Sequence, residues 1–433
     1  MRLWPRLWVF LFLGYNLLGR SFAYIGIPQL KLFLGEVVLA GFLALRPGAV
    51  LGRWAYWLSQ PRMGALFLLA WSLQAFFVYG IFEAFAGLAR GHEALLILQN
   101  LVFNVYPLYL FFGIYAGLRF PSLLPRALRW LAWLNGIYGF LYLFFLSRLE
   151  AHLPWAPDVP LFGQPGGSAV ALLGLLVFEP RPGRVWYLFL LNLLVLFGVQ
   201  VRGEWLAFAL ALTVWALVRG RMVRLALIGA LLVFVFGALY AFDLRLPAPE
   251  HRGGELSARG IVARVIAPFN PDLAANLVGE EAYSFAGTIT GWRVPWWVRI
   301  WETVHQDLAT ALLGLGYGFP LWSLYEAIPE GVRTPHNAFF YSLGYTGWLG
   351  VFLFFAFIGA LMWALYKASR MSLVGEFAFV VSLGQVGSGL FGNFFETPFG
   401  AIPFYLVAGY GLATLIRFYA SFKDSHPLPT TGR

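Results

Sequence analysis

The chain has 433 residues, of which 60% are hydrophobic, 19% are aromatic and only 12% are charged. Soluble domains carry about 25% charged residues, so this composition indicates a membrane protein. The net charge of +10 comes mostly from single basic residues between apolar runs, which argues against a nucleic-acid-binding arm, and the absence of cysteine excludes disulfides and thiolate metal sites.

The apolar segments predict an all-α, polytopic integral membrane protein. The first segment follows Arg2 and Arg6 as a signal peptide would, but no small-residue cleavage site comes after it, so we interpret it as a retained helix. A membrane-spanning helix needs about 20 mostly apolar residues. Twelve segments fit this description, at residues 5–20, 29–45, 64–88, 94–118, 127–147, 166–179, 185–201, 203–218, 223–242, 337–366, 374–394 and 399–418.

The basic residues between these segments alternate in a way that supports the count of twelve. With a cytoplasmic N-terminus, the segments on the cytoplasmic side hold eighteen Lys and Arg residues. The short segments on the outer side hold five, which are Arg20, Lys31, Arg90, Arg148 and Arg202. Cytoplasmic loops of membrane proteins carry this excess of positive charge, so both chain ends are predicted to be cytoplasmic.

One long connection, residues 243–335, differs from the rest of the chain because its net charge is −3. Long loops translocate regardless of charge, and the even count of spans places this loop outside the cytoplasm. The predicted organisation is therefore nine transmembrane helices over residues 1–242, an extracytoplasmic subdomain over 243–335, three more transmembrane helices over 336–418 and a cytoplasmic tail over 419–433.

The outer loop itself is predicted to be mostly helical. Asn270 and Pro271 form an N-cap followed by proline, which opens a short helix that we expect to end near Tyr283. Pro295 opens a second, amphipathic helix that is expected to stop at Gly314. Its apolar face holds Trp297, Ile300, Trp301, Val304, Leu308 and Ala311, a pattern that fits a helix on the membrane surface. "GLGYGFP" (314–320) then reads as a flexible turn leading back to the membrane.

Three polar residues on the outer side are candidates for chemistry. Arg202 is the only basic residue between two apolar runs, and it is either a snorkelling anchor or an anion-binding group. Arg299 is either half of an i, i+3 pair with Glu302 or a second anion-binding group. His336 stands at the start of the tenth span and is either a polar boundary residue or a general base. Arg333, three residues before it, reads as a solvated loop charge.

The acidic residues favour a metal-free site. We find no paired carboxylates at DxD spacing and no histidine pair at i, i+4 spacing, so neither a metal nor another cofactor is predicted. Glu36, Glu83 and Glu396 fall in or beside apolar spans, where an ionisable group costs energy and suggests a function such as proton-coupled transport. Span ends offer another explanation for Glu36 and Glu396, whereas Glu83 lies deepest.

Three stretches resemble the O-antigen ligase and O-antigen polymerase family. "VQVRGEWLAFAL", from Val199, is similar to that family's Ser-Arg-Gly helix start, with Val201 where the family usually has serine. "RIWETVHQDLATALLGLGYG", from Arg299, resembles its arginine-tryptophan segment that runs into a Gly-x-Gly-x-Gly turn. "PHNAFFYSLGYTGWLG", from Pro335, resembles its His-Asn signature. The resemblance covers roughly residues 190–360, and the spacing to Trp301 leaves Arg293 as an alternative to Arg299.

The resemblance implies a GT-C-like membrane glycosyltransferase of the bacterial inner membrane whose active site faces the periplasm. Its donor would be a polyprenyl (undecaprenyl) diphosphate-linked glycan, and its acceptor a hydroxyl on a lipid-anchored or growing glycan. Arginine guanidinium groups bind phosphate oxygens bidentately and can replace a metal, so Arg202 and Arg299 are expected to hold the diphosphate. His336 is expected to be the general base, with Asn337 supporting it.

Three alternatives stay open at this point. An O-antigen ligase uses a lipid A core as acceptor, whereas a polymerase uses another lipid-linked repeat, and the donor chemistry is the same. We favour the ligase because a long aromatic-rich outer loop suits a lipid-anchored acceptor. A flippase or proton-coupled transporter would instead place its essential charges at mid-membrane.

Overall fold

The computed structural model describes residues 3–30, 32–179, 182–242, 244–249, 255–280, 282–283 and 287–425. Helices dominate this part of the chain, and the strands in it form only two-stranded antiparallel hairpins. The strands are β1 (Gly26–Ile27), β2 (Leu32–Phe33), β3 (His152–Leu153), β4 (Ala156–Pro160), β5 (Leu246–Pro247) and β6 (Glu255–Leu256). The all-α prediction is confirmed.

Every one of the twelve predicted apolar segments contains a helix. In the first part of the chain the helices are α1 (Leu3–Ala23), α2 (Leu34–Leu45), α3 (Arg53–Leu58), α4 (Ala65–Ala89), α5 (Ala94–Val105), α6 (Tyr109–Arg119), α7 (Leu123–Phe144), α8 (Ser168–Phe178), α9 (Trp186–Gly198), α10 (Arg202–Arg219) and α11 (Met222–Ala241). The outer loop holds α12 (Ala258–Ile266), α13 (Pro271–Val278), α14 (Arg293–Val304) and α15 (Leu308–Leu313). The chain ends with α16 (Ala338–Ser369), α17 (Leu373–Gly389) and α18 (Pro398–Ser425).

Five helical segments of the described chain are long and apolar enough to cross a membrane. These are Ala65–Ala89, Ala94–Arg119, Met222–Ala241, Ala338–Ser369 and Pro398–Ser421. A sixth arises if α2 and the segment Gly48–Leu58, bent by 77° relative to each other, count as one broken span. These helices are consistent with an all-α membrane protein, while the count of twelve spans stays a prediction.

The helices of the outer loop are shorter than the sequence predicts. The cap at Asn270 is confirmed, since its side chain accepts a hydrogen bond from the Leu273 amide at 3.0 Å, but α13 ends at Val278 rather than near Tyr283. The predicted helix from Pro295 to Gly314 begins at Arg293 and is interrupted after Val304. The Asp307 side chain accepts a hydrogen bond from the Thr310 amide and starts a new helix there.

The buried face of α14 also differs from the predicted one. Trp296, Ile300 and Val304 are fully buried, whereas Trp301 remains 43% exposed. The Trp296 indole donates to the carbonyl of Leu321, and the Trp297 indole donates to the carbonyl of Pro335. These bonds fix α14 against the entry to α16.

Helix α16 is broken, and a glycine-rich turn fills the break. Gly347 has φ 61° and ψ −166°, which interrupts the helix and frees backbone carbonyls that lipid could not satisfy. The carbonyl of Gly344 accepts from the Leu315 amide, and that of Tyr345 accepts from the Gly316 amide. The segment Gly314–Gly318, which we call the glycine wedge, is thus buried rather than a flexible turn.

The wedge needs glycine for its close approach. A Cβ on Gly314, whose φ is 74°, would lie 2.5 Å from the backbone nitrogen of Gly347. The glycine wedge also contacts the connection between α4 and α5. There the carbonyl of Tyr317 lies 2.8 Å from Nδ1 of His92. The wedge therefore ties the outer loop to helices from the first half of the chain.

Candidate functional site

His336 lies in a strained backbone conformation. Its φ is 53°, and the other described non-glycine residue with positive φ is Gln200, two residues before Arg202. A non-glycine residue in this region costs about 1–3 kcal/mol and is held there by its surroundings, often at a functional site. The two strained positions therefore mark two of the regions that the sequence singles out.

The contacts on either side of His336 account for its conformation. The carbonyl of Pro335 is held by the Trp297 indole at 2.7 Å. Asn337 is the N-cap of α16, and its side-chain oxygen accepts from the amides of Phe339 at 2.8 Å and Phe340 at 3.2 Å. Asn337 thus supports the backbone around His336 by starting the helix.

Arg293 is the arginine that the structure places beside His336. It opens α14, and its guanidinium donates to the carbonyl of Phe391 at 3.3 Å. The guanidinium carbon lies 5.1 Å from the ring centre of Trp292, whose ring in turn meets the His336 imidazole edge-on with centroids 5.6 Å apart. Burial, together with the charge of Arg293, lowers the pKa of His336 to about 3, so the imidazole is neutral at physiological pH.

The start of α10, which carries Arg202, lies against the same end of α17. Arg202 is the first residue of α10, and its guanidinium donates to the carbonyl of Arg264 at 3.2 Å. A Cβ on the neighbouring Gly203 would lie 3.0 Å from Oγ of Ser388, near the end of α17. Because Arg293 contacts Phe391, three residues further along, the start of α10 and the Arg293 side chain both border the segment Ser388–Phe391.

Arg299 lies on a different face of α14 from Arg293. Its side chain is 60% exposed and forms an ion pair with Glu302 at 3.0 Å. This is the i, i+3 pair that the sequence offered as one of two explanations for Arg299. Six residues separate it from Arg293, which at 3.6 residues per turn places the two on different faces of α14. Arg333 is exposed as well, with its guanidinium carbon 5.7 Å from the ring centre of Trp322.

Glu83 is buried but lies apart from His336. The side chain is fully buried in α4, and neither carboxylate oxygen accepts a hydrogen bond of normal geometry from the residues that the structure describes. One turn earlier, the Tyr79 hydroxyl donates to the carbonyl of Thr346 at 2.9 Å. That contact places Glu83 near the break in α16, about ten residues past His336 along the chain.

Glu396 is a buried carboxylate, although its place at a span end offered a simple explanation for it in the sequence. It lies between α17 and α18, is 7% exposed, and its oxygens accept no hydrogen bond of normal geometry within the described residues. It interacts electrostatically with Tyr341 and Tyr345 in the first turns of α16. Glu36, by contrast, is explained by its contacts, because its carboxylate accepts from the Tyr106 hydroxyl and the Phe33 amide.

We expect Glu396→Gln to stabilise the protein at alkaline pH. Burial raises the pKa of Glu396 to about 8, against the weaker opposing effect of nearby backbone amides, so the folded state holds a proton that the unfolded state has released. Stability is then lost as pH rises from the unfolded pKa near 4.5 to about 8, by about 1.4 kcal/mol per unit. Thermal unfolding in detergent at pH 6, 7, 8 and 9 checks this.

The control is Glu302→Gln, an exposed carboxylate on α14. The variant at Glu396 should unfold at a higher temperature than the wild type at pH 8 and above, and the control should follow the wild type. Equal shifts in both variants would contradict the prediction.

The described residues contain no group of three or more His, Asp or Glu side chains close enough to hold a metal ion. The structure brings the neutral His336 imidazole together with Arg293, and the helix that begins at Arg202 borders the same end of α17. Such a set can accept a proton and bind an anion. A search of family models and of curated proteins found no match to this chain.

Proposed function

We propose that this protein is a metal-independent, inverting glycosyltransferase of the O-antigen ligase type. The observation that supports the proposal is the contact region of His336, Trp292 and Arg293, beside the end of α17 that the start of α10 also borders. The acceptor oxygen would attack the anomeric carbon while the carbon–oxygen bond to the polyprenyl diphosphate breaks. The imidazole of His336 would take the acceptor proton, and the arginines would bind the departing diphosphate.

The low pKa of His336 is consistent with this role once the donor is bound. A base with a pKa of about 3 accepts protons poorly. Part of that lowering comes from the positive charge of Arg293, after the larger effect of burial. A diphosphate between the two groups would neutralise that charge and raise the pKa of the imidazole, so donor binding would itself activate the base.

The proposal places the site on the outer face of a bacterial inner membrane. It includes twelve spans with both ends in the cytoplasm, so that residues 243–335 and His336 face the periplasm. Nucleotide sugars are not available there, and a donor linked to a lipid diphosphate already carries its own leaving group. Membrane lipids would surround the protein, and no nucleic acid would take part.

The direct test is transfer in a purified system. The protein in nanodiscs is incubated with a radiolabelled polyprenyl diphosphate-linked glycan and either a lipid A core or a second lipid-linked repeat. Label on the lipid A core supports the ligase, and label on a longer lipid-linked chain supports the polymerase. No new glycosidic bond with either acceptor would overturn the proposal.

Buried Glu83 favours a second candidate, a proton-coupled transporter or lipid-linked oligosaccharide flippase. A carboxylate inside a long apolar helix is costly and marks an ion or substrate path in many membrane proteins. In proteoliposomes a transporter would move labelled glycan or protons across the membrane without making a covalent product. The transfer assay therefore separates the two functions.

We also expect Arg202→Lys to impair transfer in the same assay by about tenfold to a hundredfold. Lysine keeps the charge but loses the planar pair of donors that binds two phosphate oxygens at once. The control is Arg333→Lys, which makes the same exchange at an exposed position. Wild-type turnover in Arg202→Lys would show that the guanidinium does not bind the diphosphate.

A further inference from the structure

A pocket of about 400 Å³ lies at the elbow where α2 ends, away from the site described above. The chain bends by 77° between α2 and the next helical segment, and α6 closes the other side of the elbow. Three arginine side chains line the pocket, namely Arg46 at the bend, Arg53 at the start of α3 and Arg119 at the end of α6.

The pocket concentrates positive charge without a protein counter-ion. Its lining contains no Asp or Glu. The ion pairs Arg219–Glu376, Arg245–Glu255 and Arg299–Glu302 all lie outside the pocket. Three guanidinium groups facing one cavity repel each other, and an anion bound between them would remove that repulsion.

Two of the three arginines are already held in place. The guanidinium of Arg53 donates to the carbonyl of Ala49 at 3.0 Å, and that of Arg46 lies over the Tyr115 ring, 5.9 Å from its centre. A further arginine, Arg417, donates to the carbonyl of Leu118 in the pocket wall at 3.3 Å. Each guanidinium has five N–H donors, so donors remain available for a ligand.

We propose that this pocket binds the phosphate of an anionic phospholipid headgroup. Phosphate is the anion that clustered guanidinium groups bind best, through paired N–H···O bonds. Leu45 lines the pocket beside the arginines and is 69% exposed, so it offers apolar surface to an acyl chain of the same lipid. Basic pockets between helix ends bind such headgroups on the cytoplasmic side, which is the side the charge alternation predicts here.

The experiment uses native mass spectrometry and nanodisc binding of the full chain. Wild type is compared with R46Q/R53Q/R119Q and with a control of equal charge change, R62Q/R126Q/R129Q, whose arginines lie outside the pocket. We expect one tightly retained phosphatidylglycerol in the wild type and the control, no retained phosphatidylcholine, and at least tenfold weaker phosphatidylglycerol binding in the pocket variant. If the triple variant does not fold, R46Q/R119Q, both at exposed positions, is compared with R126Q/R129Q.

Two outcomes would overturn the proposal. Equal loss of phosphatidylglycerol in pocket and control variants would mean that the surface charge attracts lipid without a specific site. Displacement of the bound lipid by millimolar inorganic phosphate would mean that free phosphate is the preferred ligand. Transfer activity plays no part in either measurement, so the result is independent of the proposed glycosyltransferase function.

Discussion

Replacing His336 with alanine is expected to lower the turnover of glycan transfer by about 10²- to 10⁴-fold, the usual contribution of a general base. The imidazole is the group in the His336–Arg293 contact region that can accept the acceptor's proton. Histidine is more common than alanine at positive φ, so folding of the variant is checked first by its unfolding temperature. Single-turnover transfer with a saturating lipid-linked donor measures the effect.

The matched control for that experiment is His305→Ala. His305 lies just past the end of α14, with Nδ1 2.7 Å from the carbonyl of Trp301 and Nε2 accepting a hydrogen bond from the Trp348 indole. It is exposed, so we expect a change of no more than about threefold, as for other surface substitutions. Near-wild-type turnover in His336→Ala would exclude His336 as the base.

The low pKa of His336 has a second, purely structural consequence. The folded state keeps the imidazole neutral down to about pH 3, whereas the unfolded chain takes up the proton below about 6.5. The wild type therefore loses stability as pH falls from 6.5 towards 3, by about 1.4 kcal/mol per unit, and His336→Ala should lose less. The unfolding temperatures of the wild type and of His336→Ala are compared at pH 7 and at pH 5. A correctly folded variant should lose less stability between these two pH values than the wild type does.

Substituting Arg293 is expected to cost far more activity than substituting Arg299. Arg293→Gln should lower turnover by about 10²- to 10³-fold, the typical loss when one fixed donor to a developing negative charge is removed. Arg299→Gln should change it by less than about threefold, because the side chain is exposed and its ion pair with Glu302 contributes little. The same assay with the two variants side by side gives the comparison.

The pair also serves as its own control, since both substitutions remove one arginine from α14. Losing the Arg293 charge should in addition raise the pKa of His336, which would make the fold less sensitive to acid. If Arg299→Gln proved the more damaging change, the diphosphate would bind on the other face of α14 and the proposed site would be wrong.

The parts of the fold that follow from local pattern could be predicted from the sequence. Apolar length located the helices in all twelve segments, and the spacing of His336 and Asn337 before an apolar run predicted the entry to α16. The Asn270 cap and the Arg299–Glu302 pair also depend only on neighbouring residues. Such features need no knowledge of how helices pack.

The features that the sequence analysis left undecided or missed depend on tertiary contacts. The choice of Arg293 over Arg299 is decided by which face of α14 docks on Pro335 and Leu321, through two tryptophan indoles. The burial of Glu396 requires α17 and α18 to pack against α16. The break in α16 makes sense only with the glycine wedge in place, although Gly314, Gly316 and Gly347 gave a signal of unusual backbone.

The glycine wedge also bears on the order in which the chain enters the membrane. Without it, the carbonyls of Gly344 and Tyr345 would have no partners in lipid, at a cost of several kcal/mol each. The wedge is in turn held by His92 and Arg90, at the junction of α4 and α5, which the ribosome makes more than two hundred residues earlier. Helix α16 can therefore settle in its broken form only after the wedge has docked on the junction of α4 and α5. Under the proposed topology, in which residues 243–335 face the periplasm, folding of α16 would then depend on correct export of the loop that precedes it.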